Sequence, residues 1–202
     1  MITACVGRTP SIKESSTGKQ AVLSDNQAIV FGKFKWSVRG DELEIGRGPF
    51  DFYFYPSLLR MEDRTETNAE VDGNGNFVWA LEPGVYVINK ITYRDPWTGN
   101  YFMAPQVAFQ IPDKGKVYYI GTLKIDFESK RDFLKGLSGK VTVTIEDQGI
   151  EAYTIATETL DMLPENIEKS LMVREKELPK TIDTTEDFNT AISILSGIFS
   201  WF

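Results

Sequence analysis

The chain has 202 residues, 42% of them hydrophobic and 12% aromatic, enough apolar side chain for one large domain or an ordinary domain with appendages. Its 22 Lys and Arg against 29 Asp and Glu give a net charge of −7, and no stretch concentrates basic residues, which sets the surface against nucleic acid. Histidine is absent and cysteine occurs once. That excludes histidine-based nucleophilic sites, imidazole-held zinc and an intramolecular disulfide, leaving carboxylate chemistry, lysine chemistry or none.

The single cysteine, Cys5, directly follows Ile2-Thr3-Ala4. This aliphatic–small–small–Cys tetrad resembles the lipobox of bacterial lipoproteins, which implies that Cys5 heads the mature protein and carries diacylglycerol on its thiol. Only four residues precede it, so the charged and apolar regions of such a signal would lie upstream of Met1. Two or three acyl chains on one residue, each burying roughly 0.8 kcal/mol per CH₂, hold a protein on a membrane where one chain does so only marginally. Val6 stands where some lipoproteins carry a retaining aspartate, so the resemblance implies the bacterial cell envelope, at the outer membrane, on its periplasmic or surface face. The alternative is a plain free cysteine. Residues 1–26 are expected to be a lipobox remnant and flexible tether, since the run Ser15-Ser16-Thr17-Gly18-Lys19-Gln20 has no periodicity.

Period-2 alternation begins at Ala28 and predicts a domain over 27–156. Ala28, Val30, Phe34, Trp36 and Val38 share one face, with Lys33, Lys35 and Ser37 on the other. Phe50, Phe52 and Phe54 alternate with Asp51, Tyr53 and Tyr55, and Phe77, Trp79 and Leu81 align next. Further strands are predicted over 85–93, 107–111, 117–127, 141–145 and 151–155. The breakers between them, such as Asp72-Gly73-Asn74-Gly75 and Glu82-Pro83-Gly84, suit tight reversals. Strands at this spacing without intervening helices predict a mainly β, antiparallel sandwich.

Within it, Asp72-Gly-Asn-Gly-Asn-Phe-Val-Trp-Ala-Leu-Glu-Pro-Gly-Val-Tyr-Val-Ile88 resembles the signature hairpin of prealbumin-like sandwiches. These include the carboxypeptidase regulatory-like and Cna-B-type domains. The resemblance covers roughly residues 28–155 and implies an aromatic plugging the sandwich end after each turn; it says little about function. Two chemistries of such domains do not carry over. The Lys–Asn cross-link of Cna-B-type domains has donors in Lys33 or Lys35 but no Asn on the predicted last strands, and the histidine-dependent hydrolases have no counterpart here.

Three constellations bear on function. Asp72, Asn74 and Asn76 alternate like the start of a Ca²⁺ loop, but no bidentate Glu follows, so the segment reads as a tight turn and no metal or cofactor is implied. Tyr53, Tyr55, Tyr93, Trp97 and Tyr101 are candidate ligand-binding aromatics for a carbohydrate or peptide; the competing reading has them covered by the C-terminal segment. The acidic pairs Asp41/Glu42 and Glu62/Asp63 would serve a hydrolase only if two carboxylates faced each other across a cleft.

Residues 157–202 are expected to be a helical extension. A short helix is predicted from Pro164 to about Lys176, and a second after Thr184/Thr185, with Phe188, Ala191, Ile192, Leu195, Ile198, Phe199 and Phe202 on one stripe. Too short to span a bilayer, this stripe is expected to close over the outer face of the sandwich, or to meet a protein partner or second protomer. The composite expectation is a lipid-anchored, non-catalytic binding or structural module of the envelope. A carbohydrate- or peptide-binding surface protein is the first alternative and a carboxylate-dependent hydrolase the second.

Overall fold

The structure is a computed structural model that describes residues 25–38, 40–43, 53–95, 99–128, 140–160 and 166–199. Cys5, most of the tether, Phe50, Phe52, Trp97 and Phe202 lie outside the described residues. In chain order the described residues form β1 (Ala28–Val38), β2 (Asp41–Glu42), β3 (Tyr53–Arg60), β4 (Glu66–Asn68), β5 (Asn76–Leu81), β6 (Gly84–Asp95), β7 (Gly99–Met103), β8 (Val107–Ile111), β9 (Val117–Phe127), β10 (Val141–Glu146), α1 (Gly149–Thr159), β11 (Glu168–Lys169), β12 (Val173–Arg174) and α2 (Thr185–Leu195). The protein is mainly β, with the strands in two sheets that pack as a sandwich.

The first sheet runs β10-β9-β1-β2, with β5 beside the first half of β1 and β11 beside β9; the second runs β12-β8-β6-β3-β4, with β7 beside β6. The expected all-antiparallel arrangement is corrected at its centre, because β1 and β9 pair in parallel from Ile29/Val117 to Val38/Phe127. The cause lies in where the chain re-enters. The turn before β9 is pinned beside the start of β1 by Gly115 N–H to Gln27 O (2.8 Å) and Ile29 N–H to Lys116 O (2.9 Å), so both strands leave the same end of the sheet.

The backbones of these two strands approach closely at Gly32 and Gly121. A Cβ on Gly32 would meet the Gly121 carbonyl oxygen and lie 2.6 Å from the Phe77 ring. Gly121, at φ +98°, carries the irregularity in register between Phe31 and Lys33, a bulge that only glycine adopts at ease.

Inward-facing residues of both sheets interlock as the alternation predicts. Ala28, Val30, Phe34, Trp36, Phe77, Trp79 and Leu81 meet Phe54, Leu58, Tyr86, Tyr93 and Phe109 in one core. Contacts such as Phe34–Phe54 (5.2 Å between centroids) and Trp36–Tyr93 (5.3 Å) join the layers. Ile29 and Phe31, on the other face of β1, build a second core with Tyr119 and the α1 residues Ala152, Ile155 and Ala156. The strand expected over 151–155 is therefore corrected to helix. Ala152, Ile155, Ala156 and Leu160 recur at helical spacing, and their burial overrides the strand-favouring Ile, Tyr and Thr of this segment.

The turn Glu82-Pro83-Gly84 carries the chain from β5 in one sheet to β6 in the other, so it is a corner between layers rather than a hairpin. Tyr86 locks it by donating its hydroxyl to Glu82 O at 2.9 Å and stacking on Phe109. Burial pushes that hydroxyl's pKa up to about 12, beyond any range in which it titrates physiologically.

The helix expected from Pro164 to Lys176 is also corrected: over its described part the chain is extended. Residues 168–169 pair with β9, residues 173–174 pair with β8, and Ser170 N–H to Tyr119 O and Met172 N–H to Ile120 O fill the gap. One strand thus crosses from sheet to sheet and closes an open side of the sandwich, because each of its short stretches finds a free strand edge.

The last helix starts where expected but ends at Leu195, and Ile198 of the predicted stripe is exposed. Thr184 and Asp187 form a reciprocal capping box, and Phe188, Ala191 and Leu195 are buried. They cover Leu59, Met61, Val85, Val87 and Ala108 on the outer face of the second sheet, an aliphatic patch rather than an aromatic one. Two non-glycine residues with left-handed backbones hold this C-terminal segment. Arg64 (φ +62°) sets its guanidinium over Phe188 at 4.0 Å, and Gln106 (φ +56°) donates its amide to the carbonyls of Lys176 and Leu178. Asn89, the extra residue of β6 at a register shift opposite β3, is buried and accepts Ile182 N–H at 2.8 Å.

Two outcomes follow for chemical denaturation. Phe188→Ala should cost about 3–5 kcal/mol, as expected for truncating a buried ring. Arg64→Gly should shift global stability by no more than about 1 kcal/mol, since relief of the left-handed strain offsets the lost cation–π contact. The same variant should speed hydrogen exchange across α2; unchanged exchange there would mean that Arg64 does not clamp the helix.

Candidate functional site

Two surfaces combine exposed apolar groups with polar ones, and each lies where a helix stops covering a sheet.

The first is on the second sheet, outside the aliphatic patch that α2 covers. β3, β6 and β7 place Tyr55, Thr92 and Phe102 in one cross-strand row, since Tyr55 pairs with Thr92 and Thr92 with Phe102. The rings of Tyr55 (51% exposed) and Phe102 (68% exposed) face solvent on either side of the half-buried Thr92. Two strand spacings set them on the order of 10 Å apart. Beside this row Ser57 donates its hydroxyl to Glu66, which also lies 3.5 Å from the Lys90 ammonium. The Ser57 hydrogen bond holds the Glu66 carboxyl below its ordinary pKa, against the opposing effect of burial and with help from Lys90.

The sequence-predicted aromatics divide between faces. Tyr55 is on the exposed row. Tyr93, only 4% exposed, belongs to the central core, and Tyr101 stacks on it at 5.4 Å, half-buried on the inner side. These two therefore do not join Tyr55 in one surface. The Tyr53 side chain and Trp97 lie outside what the structure describes. Sequence reasoning missed Phe102, although it alternates with Tyr101 and Met103 along β7 and so falls on the outer side.

The second surface is a cleft of about 1070 Å³ where α1 begins above the outer face of the first sheet. β1 supplies Lys33 to its lining, and the Nζ atoms of Lys33 and of its neighbour Lys35 lie 3.0 and 3.1 Å from the same Glu151 oxygen in the first turn of α1. Thr122 donates to the other oxygen at 3.1 Å, and Lys35 also donates to Gln148 Oε1 at 3.2 Å. Gln148 precedes the helix without a side-chain cap; its own N–H bonds to Tyr119 Oη. Burial alone would raise the Glu151 carboxyl pKa, but hydrogen bonds and charge from Lys33 and Lys35 outweigh it and hold it below the ordinary 4.5.

The remaining acids are committed elsewhere or stand in solvent. Glu62 accepts Val85 N–H, which ties the β3–β4 turn to β6, and Asp63 accepts Thr65 N–H and an Arg60 hydrogen bond within that turn. Asp41 and Glu42 are exposed, Glu42 at the rim of the cleft. The Asp72 carboxylate accepts the N–H groups of Asn74 and Asn76, each at 2.8 Å, so it braces its own turn. Among the described residues no group of His, Cys, Asp and Glu is arranged to hold a metal ion, and no helix is long and apolar enough to cross a membrane.

No family model, no curated protein and no solved structure matches this chain.

The Glu151 geometry carries a pH dependence. Its folded-state pKa lies below the unfolded value, so the ionised carboxylate stabilises the fold above about pH 4.5, and that stabilisation is lost as pH falls through the folded-state value. Glu151→Gln should reduce the loss of stability on acidification and lower stability at neutral pH. Identical stability–pH curves for the two proteins would show that the carboxylate carries no linked stability.

Proposed function

We propose that this chain is a non-catalytic binding module of the bacterial cell envelope, held to a membrane by lipid on Cys5 through the segment that follows it. The tetrad Ile2-Thr3-Ala4-Cys5 and the unpatterned tether support the anchor. The finer fold reading, a prealbumin-like sandwich, rests on the sequence of the Asp72–Ile88 motif. A binding rather than catalytic role is favoured by the lack of histidine and by the internal commitments of Glu62, Asp63 and Glu151.

The observation that carries the binding role is the row Tyr55–Thr92–Phe102. Large apolar side chains left in water on a flat sheet are costly unless something covers them. Two rings flanking a hydroxyl, at roughly the length of a disaccharide, suit the apolar faces of a carbohydrate chain, with Thr92 and the neighbouring charged pair for its hydroxyls. A peptide strand laid on the same row is the second occupant this geometry accommodates.

The two parts of the reading are tested separately. Mass spectrometry of native protein should find diacylglycerol on Cys5, and Cys5→Ser should release the protein from the membrane fraction; an unmodified thiol on soluble native protein removes the anchor. On a glycan array the folded body should retain polysaccharide, and Tyr55→Ala with Phe102→Ala should reduce that binding at least tenfold without changing Tm. Retention that the double variant leaves intact would show that the ligand sits elsewhere.

A further inference from the structure

We infer that the cleft beside α1 binds a linear aliphatic polyamine, with one ammonium group at Glu42, another at Glu158 and the methylene chain between them. This site is independent of the Tyr55–Phe102 row, which lies on the other sheet.

The lining is acidic. Glu42, Asp147, Glu151 and Glu158 face a single lysine, Lys33, and that lysine is already paired with Glu151. Glu151 also holds Lys35, which stands outside the lining, and Asp147 is paired with Lys169. Glu42 and Glu158 are what is left: both are exposed, and among the described residues neither joins an ion pair. They stand at opposite ends of the cleft. Glu42 pairs with Ser37 on β1, roughly 13 Å along the strand from Lys33, whereas Glu158 lies roughly 10 Å along α1 from Glu151. Because α1 runs back over Phe31 and Ile29, the two distances add. The helix grades the charge further. Glu151 in its first turn offsets the partial positive charge of the N-terminus, while the last turn, with Glu158 and no basic residue, adds the partial negative charge of the C-terminus. Two separated anionic ends suit two separated cations on one ligand.

A second observation, a buried acceptor between those ends, points independently to a ligand with N–H groups. Asn76 begins β5 and lines the cleft at the notch between β5, which pairs with β1 as far as Lys33, and β2, which pairs from Ser37. It is 5% exposed, and its Oδ1 is buried without a hydrogen-bond partner. An acceptor in that state is costly, and an interior N–H of a polyamine chain supplies the missing donor. Ile150, 90% exposed on the first turn of α1, lines the same cleft and offers an aliphatic wall to the methylene groups. A monoamine would leave one anionic end unmatched. An inorganic cation would leave Asn76 and Ile150 unmatched, and among the described residues no group is arranged to coordinate one.

Calorimetric titration of the full chain with spermidine, butylamine and magnesium chloride, at physiological ionic strength, tests this assignment. Spermidine should bind saturably, one per chain, and at least tenfold more tightly than the other two. Glu42→Gln and Glu158→Gln should each weaken it about threefold, and together about tenfold, as exposed ion pairs do. Glu177→Gln, the same charge change on an exposed residue outside the cleft, should leave it unchanged. Asn76→Leu, which keeps the side chain's size and removes its acceptor, should weaken spermidine at least threefold. Asn76 also donates to Asp72, so the two glutamate variants, both at exposed positions, carry the test if Asn76→Leu folds poorly. Absence of saturable spermidine binding, equal affinity for butylamine or magnesium, or a double glutamate variant that loses no more than Glu177→Gln would each overturn it.

Discussion

The parallel ladder between β1 and β9 is the constraint on which the rest of the molecule depends. It passes through Gly32 and Gly121, where the strands approach too closely for a side chain, and it fixes which residues of each strand face which way. A parallel pair at the centre of a sheet is buried on both faces, and the first half of β1 is closed inside and out. The inner residues meet the second sheet and the outer ones call for a cover, which α1 provides. Beyond Phe31 the outer face turns polar at Lys33 and Lys35, and there the helix begins. The cleft is thus where an apolar requirement ends, and its polar floor is the unneeded half of the same strand.

The inner face of the sandwich was legible in the sequence because strand alternation is a one-residue rule that needs no partner. Ala28, Val30, Phe34 and Trp36, and then Phe77, Trp79 and Leu81, face the core as their spacing says. The second core was written there too, in Ile29 and Phe31, which interrupt the alternation; a strand apolar at consecutive positions signals burial on both sides. Helix α1 was hidden because its buried stripe includes two alanines and its remaining residues include Ile, Tyr and Thr, so neither propensity nor hydrophobicity marks it. Its helical state comes from the surface beneath it. The crossing segment at 168–174 was hidden for a related reason: its strands are two residues each and exist only because β9 and β8 offer free edges.

The candidate binding residues show what register adds. Tyr55, Tyr93 and Tyr101 are all odd-numbered, yet pairing puts Tyr93 opposite Phe54 and Tyr101 opposite Tyr93, all on the inner side. Parity within a strand is readable, but parity between strands depends on where they pair. The extra residue Asn89 shifts that pairing along β6, so that Leu58 opposite Ile88 still faces the core while Leu59 opposite Val87 lies under α2. Lys33 and Lys35 were legible as the polar face of β1, whereas their partner Glu151 was not, because it stands on α1, whose sequence carries a strand pattern.

Ser37 and Asp126, neighbours joined by a hydrogen bond across this ladder, are 89 residues apart in the chain. Closing so long a loop costs entropy before any contact offsets it, and parallel pairing over such separations is slow. β1 must therefore wait for β9, and through that interval its doubly apolar opening stretch, Ala28 to Phe31, has β5 on one edge and no partner on the other. The hazard to this protein lies in the time before assembly, when a bare segment of that kind can pair with another chain instead of its own.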